Sequence, residues 1–464
     1  MSSTADRVVS TSPQAPDDIV ADLPAATAED VGRAATQART AQKAWWSGGA
    51  AARAAALDGL ADRLVARSSE AADLLVREVG KPRTEATGEV ARAVSILRYY
   101  AQQAFDPVGA TYPPSLGGRL WTERRPHGVA ALVTPWNFPL AIPLWKAAPA
   151  LATGNAVLLK PSPDAVACAL LLAEVADGVL PDGLLHVLAG GAETGQAVTA
   201  HGDVVSFTGS VDVGRQVLAA VAPEGRAVQA EMGGQNAAIV LPDADIATTA
   251  AHLAAAAMGY AGQKCTATRR VVVVGAADAL RDALTAAVDA LALGDPGDPA
   301  TVVGPVISKT ARAKVHDATG AARADGARIL TGGSEPAEKG WYVGPTVVDG
   351  LAADHRLATT EVFGPLVTLH QVATVAEAVA LANAVPYGLV SSVHGRDLEA
   401  VLRVVDGLDT GLVKVNAPTT GVDFYAPFGG EKASSAGPRE QGKAALDFYS
   451  STRTVTLAPP PATP

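Results

Sequence analysis

Apolar residues recur every three to four positions through residues 26–105, as at Leu57, Leu60 and Leu64, and this period predicts helices. The predicted spans are 28–46, 51–67, 69–79 and 85–103. Thr27 and Thr84 stand before two of the starts, where a hydroxyl can cap free N–H groups. Gly80-Lys81-Pro82 is a stop signal. Residues 1–25 lack this period and are expected to be loosely ordered. Over 111–128 Pro and Gly punctuate Leu120-Trp121-Thr122, which predicts a short protruding hairpin. From Gly128 onward short apolar runs alternate with helical stretches. Strands are predicted at 129–135, 156–159, 185–188 and 204–207, with helices at 141–153, 165–179 and after Glu193. A second block runs from Ala237 (AAIVL) through 270–274, 328–330, 346–348, 366–369, 390–393 and 411–415. Strands separated by helices make parallel sheets, so the fold class is α/β with two open Rossmann-like domains. The tail 458–464, APPPATP, is expected to be mobile.

Composition narrows the function classes. The chain has 464 residues, which at about 150 per domain gives roughly three domains. A net charge of −10 makes nucleic acid an improbable partner and leaves no basic patch for an anionic membrane. There is no signal-peptide core and no apolar run of membrane-spanning length. Cys168 and Cys265 are far apart and the eight histidines are scattered, so neither a disulfide framework nor a metal site is expected. The default compartment is a reducing cytoplasm.

Four short segments could carry chemistry. Gly209-Ser210 follows the predicted strand 204–207, so backbone N–H groups at the next helix start could hold a phosphate, although the segment also fits a plain turn. A Walker A reading fails because Arg215-Gln216 replaces Lys-Ser/Thr. Cys265 lies in GQKCT, where Lys264 would favour a thiolate; a lone cysteine is also commonly inert. Cys168 lies in AVACALLLAEV and reads as core. Glu231 precedes Gly233-Gly234, facing either a cleft or solvent. Asn137 follows a buried strand in TPWNFP, where its amide could donate to an oxyanion or simply shape a turn.

Taken together, TPWNFP, LLKPSP, FTGS, EMGG, GQKC, EVFGP and PFGG stand in the order found in the aldehyde dehydrogenase superfamily, which the chain resembles from about residue 26 to 457. The 34 residues from Glu231 to Cys265 match that family's spacing. GQNAAIVLPDADI, YAGQKCTATRR and PFGGEKASSAGPREQG look most like the branch acting on α-ketoglutaric semialdehyde. The resemblance implies Cys265 as nucleophile and Asn137 with the Cys265 N–H as oxyanion hole. It implies Glu231 as the base that activates water, and Lys146 with Glu440 as a supporting proton relay. It implies a nicotinamide cofactor held by Thr134, Trp136, Lys160, Ser162, Gly209, Ser210, Glu361 and Phe363. Pro163 stands where many NAD-preferring members carry a ribose-binding Glu, so NADP acceptance is expected. Asp164 could restore the repulsion of a 2′-phosphate.

The same resemblance makes Phe138, Trp145, Tyr260, Phe424, Tyr425 and Phe428 candidates for a substrate tunnel, with core packing as the other reading. Lys264 or Arg270 could meet a distal carboxylate. The implied product is a free acid; a CoA-acylating enzyme and a non-catalytic protein on this fold are the alternatives. The expected division is a dinucleotide-binding domain over 1–110, 129–230 and about 431–447, a catalytic domain over 231–430, and an oligomerisation arm and tail over 111–128 and 448–464. The arm implies a homodimer or homotetramer.

Overall fold

Residues Val129 to Leu132 are fully buried, as a strand covered on both faces must be. This strand, Val129–Val133, lies inside a six-stranded sheet. The spatial order is Ser435–Ala436, Ala227–Glu231, Val204–Thr208, Val129–Val133, Ala156–Lys160 and Leu185–Val187. All neighbours run parallel except the outer Ser435–Ala436 pair. A second sheet orders Arg328–Thr331, Thr346–Asp349, Leu366–Val372, Arg270–Val274, Ala237–Val240, Val390–His394 and Leu412–Val415. It too is parallel apart from its first pair. A small third sheet joins Ser450–Leu457, Arg119–Pro126 and Thr111–Tyr112. The computed structural model describes residues 7–106, 109–115, 117–333, 336 and 339–459. Most of the predicted tail, 460–464, lies outside them.

Helices cover the first sheet through one continuous apolar core that includes Leu57, Leu60 and Leu64. Thr27 caps the helix Ala28–Ser47 through a reciprocal capping box with Asp30. Gly80 closes Ser68–Val79 at φ 62°, a left-handed cap that glycine adopts without strain. Thr84 is not a cap: the helix Arg83–Gln103 starts two residues earlier than expected, behind Pro82, and the Thr84 hydroxyl donates to the Pro299 carbonyl.

The expectation of loose order over 1–25 fails for the described part. Arg7–Ser12 and Ala15–Pro24 form an antiparallel hairpin. Its inward positions are Val8, Ser10 and Ser12. Two of these are polar, so no apolar alternation marked it. Ser10 is satisfied by donating to the buried Glu78 carboxylate at 2.7 Å. The strand Ala227–Glu231 was also unmarked, and it carries Glu231 to its end.

Candidate active site

Three of the candidate side chains stand at the carboxyl ends of strands, where open parallel sheets bind ligands. Asn137 follows Val129–Val133, Lys160 ends Ala156–Lys160, and Glu231 ends Ala227–Glu231. Cys265 follows the turn Gly259–Gly262 at the end of the helix Ile246–Met258. That turn is strained. Tyr260 and Ala261 have φ of 53° and 51°, a region side chains avoid. Neighbouring groups hold it: the Tyr260 hydroxyl donates to the Val79 carbonyl at 3.0 Å, and Arg269 donates to the carbonyls of Gly262 (2.6 Å) and Gly364 (2.8 Å). A Cβ on Gly262 would meet the Gly364 oxygen at 2.3 Å. Asn236 donates to the Cys265 and Ala267 carbonyls at 2.7 and 2.8 Å.

Asn137 reaches the same loop. Its Nδ2 donates to the Gln263 carbonyl at 3.0 Å, and its own carbonyl accepts from Lys81 at 2.7 Å. Lys81 is in turn ion-paired, fully buried, with Glu89. The oxyanion candidate is therefore anchored from below by a buried charge pair.

Glu231 is buried and its Oε2 accepts from the Ser435 hydroxyl on the adjoining strand. Its Oε1 has no hydrogen-bond partner among the described residues. Gly429 leaves room for that oxygen, since a Cβ there would sit 2.9 Å from it. Burial first, then the neighbouring Glu440, pushes the Glu231 carboxyl well above the usual range. Lys146 donates to Glu440 at 2.6 Å and to Ser206 at 2.7 Å, in a chain that continues to Gln229. The Cys265 thiol is pushed up to about 12, by burial first and then by Glu361, Glu231 and Glu440. Lys264 does not offset this, contrary to its expected thiolate-favouring role, because Glu85 engages its ammonium at 2.7 Å. Cys168 is fully buried, as expected of a core thiol.

The cofactor candidates fit a polyhydroxylated, phosphate-bearing ligand. Lys160 is nearly buried, and its ammonium donates no hydrogen bond to any described residue; burial pulls it down to about 8. The side chain of Gly195 is absent where a Cβ would touch Lys160 at 3.8 Å. Thr134 Oγ1 and Glu361 Oε1 are buried without partners, which calls for a ligand or water. Gly233 clears Glu361, whose Oε2 would lie 2.3 Å from a Cβ there. Trp136 and Phe363 meet edge to face at 5.7 Å. Ser210 caps the helix Val211–Val221 just after Gly209. Ser162 donates to the Asp164 carboxylate at 3.5 Å.

Cys265 opens onto a cavity of about 260 Å³ walled by Phe138, Trp145 and Phe428. Arg92, Glu85 and Lys264 also line it. A larger cavity of about 420 Å³, beside Trp46 and Arg53, includes none of the candidate site residues. Tyr260, Phe424 and Tyr425 do not line the Cys265 cavity. Tyr260 is buried behind Phe138, Phe424 packs on Tyr99, and Tyr425 is exposed. Arg270 cannot greet a carboxylate: it is buried, and its guanidinium is used up on the carbonyls of Gln235, Leu381 and Ala382. Arg92, Asn236 and Lys81 were not singled out in the sequence. Glu85, Glu89 and Arg92 recur at a helical spacing, which was the available signal.

A sequence profile of the aldehyde dehydrogenase family matches residues 1–455. The chain belongs to the aldehyde dehydrogenase family. It is 38% identical to the alpha-ketoglutaric semialdehyde dehydrogenase of Bacillus subtilis (strain 168) over 99% of this chain and 96% of the relative. The structure superposes on an NAD-dependent aldehyde dehydrogenase from Sinorhizobium meliloti with a TM-score of 0.94 at 34% identity, covering 98% of this chain and 93% of that one. The betaine aldehyde dehydrogenase of Staphylococcus aureus in complex with NAD+ gives a TM-score of 0.94 at 30% identity, covering 98% and 92%. This aldehyde dehydrogenase is thus an oxidoreductase whose two open parallel sheets are those of its family.

Proposed function

We propose that the enzyme oxidises an aldehyde, a semialdehyde in particular, to the free carboxylic acid through a covalent bond to Cys265. The observation that carries this reading is the convergence on Cys265 of an anchored amide and a buried carboxylate with a free oxygen. Cys265 attacks the aldehyde carbon, and its proton leaves for a neighbouring carboxylate. Asn137 Nδ2 and the Cys265 N–H then take the oxyanion. A nicotinamide dinucleotide, when held beside Cys265, would supply the hydride acceptor for oxidation of the thiohemiacetal. Glu231 removes a proton from water as it attacks the thioester carbon, the C–S bond breaks to release the free acid and the Cys265 thiolate, and Lys146 with Glu440 relays the proton away. Lys160, Ser162, Glu361 and the turn at Gly209-Ser210 would hold the dinucleotide.

NAD use is supported by the NAD+ complex of the Staphylococcus relative. NADP acceptance is our reading of the uncharged Pro163, and Asp164 beside Ser162 is the group that limits it. The semialdehyde preference draws on the named activity of the Bacillus relative. The outer strands Ser450–Leu457 and Leu412–Val415 each present an open edge, and pairing across subunits would cover them. A dimer or tetramer is expected in sedimentation at micromolar concentration, and monomers alone would contradict it.

The test is a product assay. The parent enzyme should release free acid without CoA, with both NAD and NADP tried. Glu231→Gln should give a single burst of reduced cofactor per subunit and then slow at least 100-fold. Acyl-CoA as the only product, or undiminished turnover by Glu231→Gln, would overturn the reading.

A further inference from the structure

The wall of the Cys265 cavity holds four charged side chains besides the candidate catalytic groups: Glu85, Glu89, Arg92 and Lys264. Three are already matched. Lys264 is paired with Glu85 at 2.7 Å. Glu89 is paired with Lys81 beneath the wall and accepts from the N–H groups of Leu140 and Ala141, each at 3.0 Å. Arg92 is the exception. Its Nη1 donates to the Val422 carbonyl at 2.5 Å, and no described carboxylate lies within ion-pair distance. The exposed Asp423 and the already paired Glu89 act on it only through space. The remaining donors of a planar, permanently charged fork therefore stand unused at a cavity that Cys265 also lines.

The same cavity is lined by Phe138, Trp145 and Phe428, which suit a methylene chain. The volume, about 260 Å³, is below the roughly 300–1,000 Å³ typical of drug-sized ligands, so the chain must be short. We infer that Arg92 binds a carboxylate at the end of the substrate remote from the aldehyde, making short ω-carboxylated aldehydes the preferred substrates. Arg92 is thus a specificity-determining residue. The same charge disfavours an aldehyde carrying a quaternary ammonium, which would meet a like charge in a confined space. The inference rests on the reading that Cys265 oxidises aldehydes, and it assigns to Arg92 the role that neither Lys264 nor Arg270 is free to take.

The experiment compares glutarate semialdehyde with pentanal, equal in chain length and differing in the terminal carboxylate. A hydrogen-bonded charge partner of this kind is worth about 10- to 150-fold in kcat/KM. The ratio of the two kcat/KM values should fall by about that factor in Arg92→Gln, mainly through KM for the carboxylated substrate. Arg92→Lys should recover part of it. Because the ratio is internal to each variant, a partly misfolded preparation does not mimic the effect. Glutarate should also raise the Tm of the parent protein and leave that of Arg92→Gln unmoved. An unchanged ratio, or an equal glutarate shift in both proteins, overturns the inference. If the parent oxidises neither aldehyde, the dehydrogenase reading fails, and the glutarate shift still decides what Arg92 binds.

Discussion

Glu361→Gln tests the electrostatics of the thiol without involving turnover. Of the charged groups that raise the Cys265 thiol, Glu361 contributes most after burial. The substitution is nearly isosteric, and Arg269 nearby is held by the Gly262 and Gly364 carbonyls rather than by Glu361. For two unit charges that do not touch, taken as roughly 8–10 Å apart, the interaction at an effective dielectric of about 20 is ~1.7–2 kcal/mol, or about 1–1.5 pH units. Removing the charge should lower the thiol by that amount. It stays above the ordinary cysteine value of about 8.5, because burial and two other carboxyls remain. The assay is the rate of reaction with an aromatic disulfide reagent on the protein alone between pH 7 and 10, with Cys265→Ala as the background. Thiolate is the reacting species, so the parental rate should climb about tenfold per pH unit with no plateau. A less basic thiolate is also a weaker nucleophile, with a Brønsted slope of about 0.4–0.5. The net gain for Glu361→Gln is therefore about 3- to 8-fold at each pH. A plateau near pH 8 in the parent, or a slower variant, would refute the reasoning.

Asn137→Ala should lower kcat by about 10²- to 10³-fold, as loss of one oxyanion donor does, measured by steady-state kinetics with the fold checked by circular dichroism. Glu440→Gln leaves Lys146 buried without its charge partner and should cost about 3–5 kcal/mol, seen as a lower Tm; the double variant Lys146→Met/Glu440→Gln should recover much of it. Gly262→Ala meets both left-handed backbone and the Gly364 oxygen, so it should destabilise the nucleophile loop by about 2 kcal/mol or more and abolish activity, checked by melting and rate together.

Much of the fold was legible because parallel strands are buried on both faces and read as short apolar runs. Val129–Val133 and Arg270–Val274 are such runs. Strands that bury polar side chains were not legible. Ser10 is inward because the buried Glu78 carboxylate accepts its hydroxyl, a tertiary fact with no local trace. Ala227–Glu231 escaped notice for a related reason, since its buried Gln229 and Glu231 interrupt the apolar run. At the site, Cys265, Glu231 and Asn137 were marked by motifs rather than by periodicity. Their partners were not, because Lys81, Asn236 and Ser435 reach them through contacts far along the chain. Lys264 shows the limit most clearly: adjacency in sequence suggested a charge on the thiol, and Glu85, 179 positions away, takes that charge instead.

In the proposed reaction the aldehyde carbon becomes bonded to the Cys265 sulfur. The most direct measurement is mass spectrometry of Glu231→Gln quenched in acid within seconds of mixing with NAD+ and an aldehyde. An added mass equal to the acyl group, located on the peptide containing Cys265 and absent from Cys265→Ala, is the predicted result. An unmodified Cys265 peptide in a sample that has reduced its cofactor stoichiometrically would contradict the account.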